Sequence, residues 1–143
     1  MYRCSNDNSN QALTQDASSS KTVIALKIDT FSTFPPEIDG CSCYFSADSI
    51  AFKSGSFIYL NDLGQTSFLK INGVLTKFVE KSHKELDSVT MVSRSKSDNY
   101  DLFIEVKDDM PSGDETQIKK GTIKLSDKNG TTITKVFYGE CGC

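Results

Sequence analysis

Two matched motifs, Cys41-Ser42-Cys43 and Cys141-Gly142-Cys143, constrain this chain more than anything else in it. They hold four of the five cysteines. About 100 residues lie between them, so a link between the motifs closes nearly all of that span into one loop. In a strand, residues i and i+2 point to the same face. Each motif therefore presents two sulfurs side by side, and two segments paired as neighbours would be cross-linked twice. Antiparallel pairing would give Cys41–Cys143 and Cys43–Cys141; parallel pairing would give Cys41–Cys141 and Cys43–Cys143. A third connectivity, one bond inside each motif, strains an extended backbone, because the Cα atoms then sit near the limit of disulfide reach, about 6.8 Å. The residue pattern leaves the choice among the three open. It also leaves two other chemistries open. Four thiolates can bind zinc, although zinc ribbons use Cys-x2-Cys spacing, and Cys-Gly-Cys can shuttle electrons.

With 143 residues the chain is long enough for one domain with one core. A formal net charge of −3 and a pI of about 5.1 provide no overall basic footprint for nucleic acid. No apolar run reaches the roughly 18 residues that a membrane-spanning helix requires, and no signal-peptide apolar region is present.

Residues 1–21 are polar and low in complexity, as in Ser5-Asn6-Asp7-Asn8-Ser9-Asn10, and cannot bury a core. They read as a disordered tether ahead of a single β domain over residues 22–143. Cys4 followed by Ser5, Asn6 and Asp7 resembles the mature start of small bacterial cell-envelope lipoproteins, in which the first cysteine carries the lipid. Met1-Tyr2-Arg3 stand where the small residues of the lipobox would be. The resemblance implies Cys4 as a lipid anchor, an export signal upstream of Met1, and a periplasmic or cell-surface location. The odd cysteine count agrees with a separate task for Cys4.

The body alternates short β-branched and aromatic runs with turn signals. Strands are expected at Thr22–Asp29, Cys41–Ser46, Phe57–Asn61, Thr66–Ile71, Val74–Val79, Leu86–Ser93, Asn99–Lys107, Gln117–Ser126 and Thr131–Tyr138. Leu102, Ile104 and Val106 share one face. Asn72-Gly73 and Asn129-Gly130 are hairpin turns. Ala47–Ser54 suits one helical turn, Glu80–Glu85 a charged loop, and Asp108–Glu115 an acidic loop. About eight or nine evenly spaced strands without helical periodicity predict an all-β antiparallel sandwich or small barrel.

Catalytic motifs are lacking. His83, the lone histidine, has no histidine partner, and no Gly-x-Ser-x-Gly, P-loop or His-Glu-x-x-His pattern occurs. The acidic stretch Asp108–Glu115 does not follow the EF-hand spacing for calcium. Tyr44, Phe45, Phe57, Tyr59 and Phe68 read as core and cross-strand pairs rather than a ligand platform. Ser54-Gly55-Ser56-Phe57-Ile58-Tyr59 is similar to the Ser-Gly-x-x-Tyr loop of periplasmic inhibitors of c-type lysozyme, which are small β-barrels; here the tyrosine comes one residue late. That resemblance implies Ser54, Gly55 and Tyr59 as inhibitory-loop residues, and an acidic domain suits a basic lysozyme.

The expectation is therefore a non-enzymatic, exported or cell-envelope β domain with a binding or scaffolding role. It has no cofactor, no resident metal and no nucleic-acid partner, and it meets membrane only through a lipid on Cys4. A hydrolase inhibitor and a four-cysteine metal or redox protein are the rival readings. Thiol titration of the oxidised, unfolded protein should find one free thiol, from Cys4, and reduction should lower unfolding free energy by about 2–5 kcal/mol. Four or five free thiols with stoichiometric zinc would overturn the staple.

Overall fold

The computed structural model describes residues 25–143. Cys4, the polar stretch 1–21 and the first residues of the Thr22–Asp29 run lie outside them. The described strands are β1 (Ile28–Asp29), β2 (Ser42–Ser46), β3 (Tyr59–Asn61), β4 (Thr66–Ile71), β5 (Val74–Glu85), β6 (Met91–Lys96), β7 (Tyr100–Pro111), β8 (Thr116–Asp127) and β9 (Thr132–Gly142). One short helix, α1 (Ser49–Lys53), follows β2; the Asp48 side chain caps it by accepting from the Ala51 amide at 2.8 Å.

Every pairing is antiparallel, and the sheet runs β4-β3-β2-β9-β8-β7-β6-β5 before β5 returns to β4. This is a closed eight-stranded barrel. The short β1 is additional: it pairs with the end of β4, on the side where β3 has stopped (Ile28↔Ile71). Of the two architectures the sequence allows, the barrel is the one formed. Closure leaves none of these eight strands as a free edge along its whole length, as the outer strands of an open sandwich would be.

The first and last barrel segments meet at one seam. Cys43 stands directly opposite Cys141 in the β2–β9 register, and the disulfides are Cys41–Cys143 and Cys43–Cys141, with sequence separations of 102 and 98 residues. The sulfurs are paired with each other, so no thiolate remains among these four for zinc or for redox exchange in this state.

Side-chain parity fills the interior. Phe45, Tyr59, Leu69, Ile71, Phe78, Leu102, Ile104, Val106, Ile123, Leu125 and Phe137 form one buried cluster. Leu102, Ile104 and Val106 are all buried on the same face of β7, as expected. Ile28 and the flanking Leu26, Tyr100 and Ile133 pack onto the cluster at the end away from the cysteines. Aromatic rings stack inside, Phe45 on Phe137 at 4.2 Å and on Tyr59 at 4.9 Å. A second group packs against the outer wall: Tyr44 stacks on Phe52 of α1, with Phe34 and Phe57 beside it. The aromatic-rich stretch thus serves packing on both faces of the wall.

Three local expectations change. Glu80–Glu85 is strand, not loop, and the turn comes at Leu86–Thr90, so β6 starts only at Met91. Asp108–Pro111 likewise continues β7, leaving Ser112–Glu115 as the turn. Both segments are polar, but each prolongs one arm of a hairpin and pairs with the other arm, Glu80–Glu85 with β6 and Asp108–Pro111 with β8, and that ladder pairing outweighs weak β-propensity. Of the two Asn-Gly turns, only Asn72-Gly73 is a two-residue turn with both residues at positive φ (48° and 83°), the I′ geometry. At the other, Gly130 alone is left-handed, and the Asp127 carboxylate accepts from the Asn129 and Thr131 amides.

Gly139 faces inward opposite Phe45, where a Cβ would run into the Phe45 ring and the Tyr44 carbonyl. Gly139→Ala should therefore cost about 1–3 kcal/mol by overpacking the seam. Urea unfolding checks this; an unchanged midpoint would show that the Phe45 stack can move aside freely.

Candidate functional site: an open cup at the stapled end

The barrel is filled at one end and hollow at the other. The hollow end is a cup of about 400 Å³. Phe45, Tyr59, Ile104 and Val106 form its deeper walls and the Cys43–Cys141 disulfide part of its side. Glu80, His83, Gln117 and Lys119 stand nearer the opening. Ser93, a small residue on the inner face of β6, leaves space where a larger side chain would fill the barrel.

Two β-bulges decide which polar groups face inward. Phe78 and Glu80 point into the barrel, and strict alternation would send His83 outward. The register shift between Glu80 and Ser82 adds a residue, and His83 lands opposite the inward Ser93. Its Nδ1 lies 3.6 Å from the Glu80 carboxylate. The second bulge, between Val106 and Asp108, brings Asp109 inward opposite Lys119. The Lys119 ammonium donates to Asp109 Oδ2 at 2.9 Å in a largely shielded position, with exposures of 17% and 22%. Gly121, opposite Val106 at this bulge, leaves room for the Glu105 carbonyl, which a Cβ would strike. His83, Asp109 and Lys119 also wall a side chamber of about 160 Å³ beneath the Leu86–Thr90 turn.

Tyr59 anchors the floor. Its hydroxyl and that of Ser67 are 2.9 Å apart, and the Asn61 amide donates to Ser67 Oγ at 2.9 Å and to the Thr66 carbonyl at 3.0 Å. Around the opening, Leu63, Leu86, Val89 and Met110 are exposed apolar side chains. Carboxylates accompany them on the turns: Asp62, Glu85, Asp87, Asp114 and Glu115. The Asp87 carboxyl is held below its ordinary range by the Val89 and Thr90 amides that it accepts from.

Of the residues singled out in the sequence, Cys43 and Cys141 line the side of the cup, and the Cys41–Cys143 disulfide lies next to them along the same seam. Ser54 and Gly55 are far from it, on the loop that carries α1, which joins β2 to β3 at the opposite end. The Ser54 hydroxyl donates to the Ala51 carbonyl at 2.9 Å. Tyr59, by contrast, is buried inside the barrel. The three do not form one exposed loop. Cys4 lies outside the described residues. Glu80, His83, Asp109 and Lys119 went unrecognised as a group, because their convergence depends on bulges that no residue pattern marks. Gly121, opposite one bulge, is the one available signal.

Among the described residues no group of three or more His, Cys, Asp or Glu side chains could hold a metal ion, and no helix is long and apolar enough to cross a membrane. A scan against protein-family models and searches of curated proteins and of solved structures each find no match for this chain.

Burial pushes the Tyr59 phenol up to about 12, with the Glu80 and Asp62 charges adding to the effect and the Ser67 and Asn61 hydrogen bonds opposing it. The folded state thus keeps the phenol neutral where the unfolded chain, with its ordinary value near 10, ionises. The stability tied to this group is intact below about pH 10 and is lost as pH rises toward about 12. Urea midpoints should therefore fall more steeply over that window in the wild type than in Tyr59→Phe; parallel declines would place the alkaline loss elsewhere.

Proposed function

We propose that this protein is a non-enzymatic, exported binding domain of the cell envelope that holds a small apolar or amphipathic molecule in the open end of its barrel. The cup carries the reading. Eight-stranded barrels are narrow enough to be filled by side chains or to hold one small ligand, and this one is packed at one end and keeps an open cup at the other. A volume of about 400 Å³ falls in the range of small-molecule sites. So does the pattern of apolar walls with a few polar groups near the opening. Exposed Leu63, Leu86, Val89 and Met110 extend the apolar surface beyond the cup, and the surrounding carboxylates favour neutral or cationic ligands over anionic ones.

The two disulfides suit an oxidising compartment, which supports export. They also brace the cup: Cys43–Cys141 lies in its side and Cys41–Cys143 ties the same seam, so the opening keeps its shape with or without a ligand. Lipid on Cys4, followed by the polar stretch, would let the domain work at a membrane surface without inserting into it.

The neutral fluorophore N-phenyl-1-naphthylamine should bind saturably, one per chain, with enhanced emission. Ser93→Trp, which places a large ring in the cup, should abolish that signal while the thermal melt stays cooperative. Saturable binding retained in Ser93→Trp, or no saturable binding in the wild type, would overturn the cup as the binding site.

A further inference from the structure

The outer wall carries a second concavity, independent of the cup, whose charge is opposite to that of the protein as a whole. It is a groove of about 500 Å³ across β5, β6, β7 and β8. Two adjacent outward rows of the barrel build it. One runs Ser82–Arg94–Phe103–Lys124 and the next Lys96–Asp101–Ser126. Lys81, the extra residue of the β5 bulge, joins them. The rows are about 7 Å apart along the strands, and neighbouring strands about 5 Å apart. Arg94, Lys81, Lys96 and Lys124 are thus drawn into one small area of a chain whose net charge is −3.

Only Lys96 has an ion-pair partner among the described residues, Asp101 at 3.1 Å, and Asp101 is the one carboxylate lining the groove. The Arg94 guanidinium is held over the Phe103 ring, 4.6 Å from its centroid, which fixes its direction without neutralising it. Like charges this close repel and lower stability. Edge protection does not explain Arg94, Lys96 and Lys124, which lie on stretches paired on both sides. Solubility would be served as well by charges of mixed sign.

We propose that this groove binds an anionic glycan, a sugar chain bearing carboxylate or sulfate groups. Arg94 supplies a planar fork suited to such oxyanions. Lys81 and Lys124 supply mobile ammonium groups on either side, and the Ser82 and Ser126 hydroxyls are placed for ring hydroxyls. Single-stranded nucleic acid fits less well, because its bases need an open aromatic face and the Phe103 ring is already covered by Arg94. The disulfides add weight, since oxidising compartments face the extracellular space, where acidic glycans are the abundant polyanions.

Calorimetric titration at fixed ionic strength tests this with four probes: a heparin octasaccharide, an oligogalacturonate, polyphosphate and oligo(dT). Both glycans should bind more tightly than the other two. Lys81→Gln and Lys124→Gln, which leave the Arg94–Phe103 contact in place, should each weaken glycan binding about tenfold. Asp101→Asn should strengthen it, because it removes the groove's carboxylate and frees Lys96. Lys53→Gln and Lys128→Gln, outside the groove, should change nothing. Tighter binding of polyphosphate or oligo(dT), an equal loss in the Lys53 and Lys128 variants, no gain in Asp101→Asn, or no binding at all would each overturn the proposal. None of these outcomes bears on the fluorophore site in the cup.

Discussion

The antiparallel seam between β2 and β9 is the contact on which the rest of the barrel depends. It joins segments about a hundred residues apart, and forming such a contact carries the largest loop-closure cost in the molecule. Without it the strands from β3 to β9 would still form an antiparallel meander, but with two open edges. The disulfides Cys41–Cys143 and Cys43–Cys141 lower that cost by restricting the unfolded chain. The ring stack of Phe45 on Phe137, and Gly139 opposite Phe45, let the two backbones lie close on the inner side. Covalent closure and packing therefore act at the same place.

The seam also explains why the interior can afford a hollow. A barrel held only by its core would lose stability with each cavity left in it. Here the apolar cluster fills the end far from the cysteines and continues along the cup walls to Cys43 and Cys141, and the stapled end keeps its shape through the two cross-links. Tyr59 sits at the boundary: its ring belongs to the packed half, and its hydroxyl, satisfied by Ser67, faces the polar groups of the open half. Beyond it, Lys119–Asp109 and Glu80–His83 line the opening on β8, β7 and β5. His83 and Asp109 reach that space because a bulge shifts the parity of their strands, whereas Glu80 and Lys119 face it by ordinary alternation.

Charge is divided between the turns around the opening and the outer wall. Turns around the opening carry carboxylates, whereas the outer faces of β5 to β8 carry Lys81, Arg94, Lys96 and Lys124. Two surfaces of opposite sign on one small domain permit two kinds of partner at once, because each attracts what the other repels.

By itself the sequence pointed to a link between the two Cys-x-Cys motifs and determined the strand-rich class and most of the strands, for local reasons. Alternation of Leu102, Ile104 and Val106, the Asn72-Gly73 turn and the matched Cys-x-Cys motifs are short-range signals, read over a few residues. Which sulfurs are joined, and whether the sheet closes, were decided by pairing between distant strands, which no local pattern encodes. Glu80–Glu85 and Asp108–Pro111 look like loops in composition and are strands because each pairs with the other arm of its hairpin, β6 and β8. His83 and Asp109 look solvated and face the cup because a bulge adds one residue to each strand. Ser54 and Tyr59 are five residues apart, yet Ser54 is exposed on the α1 loop and Tyr59 is buried inside the barrel. The four cations of the groove come from three strands and cannot be seen as a group until cross-strand register sets them side by side.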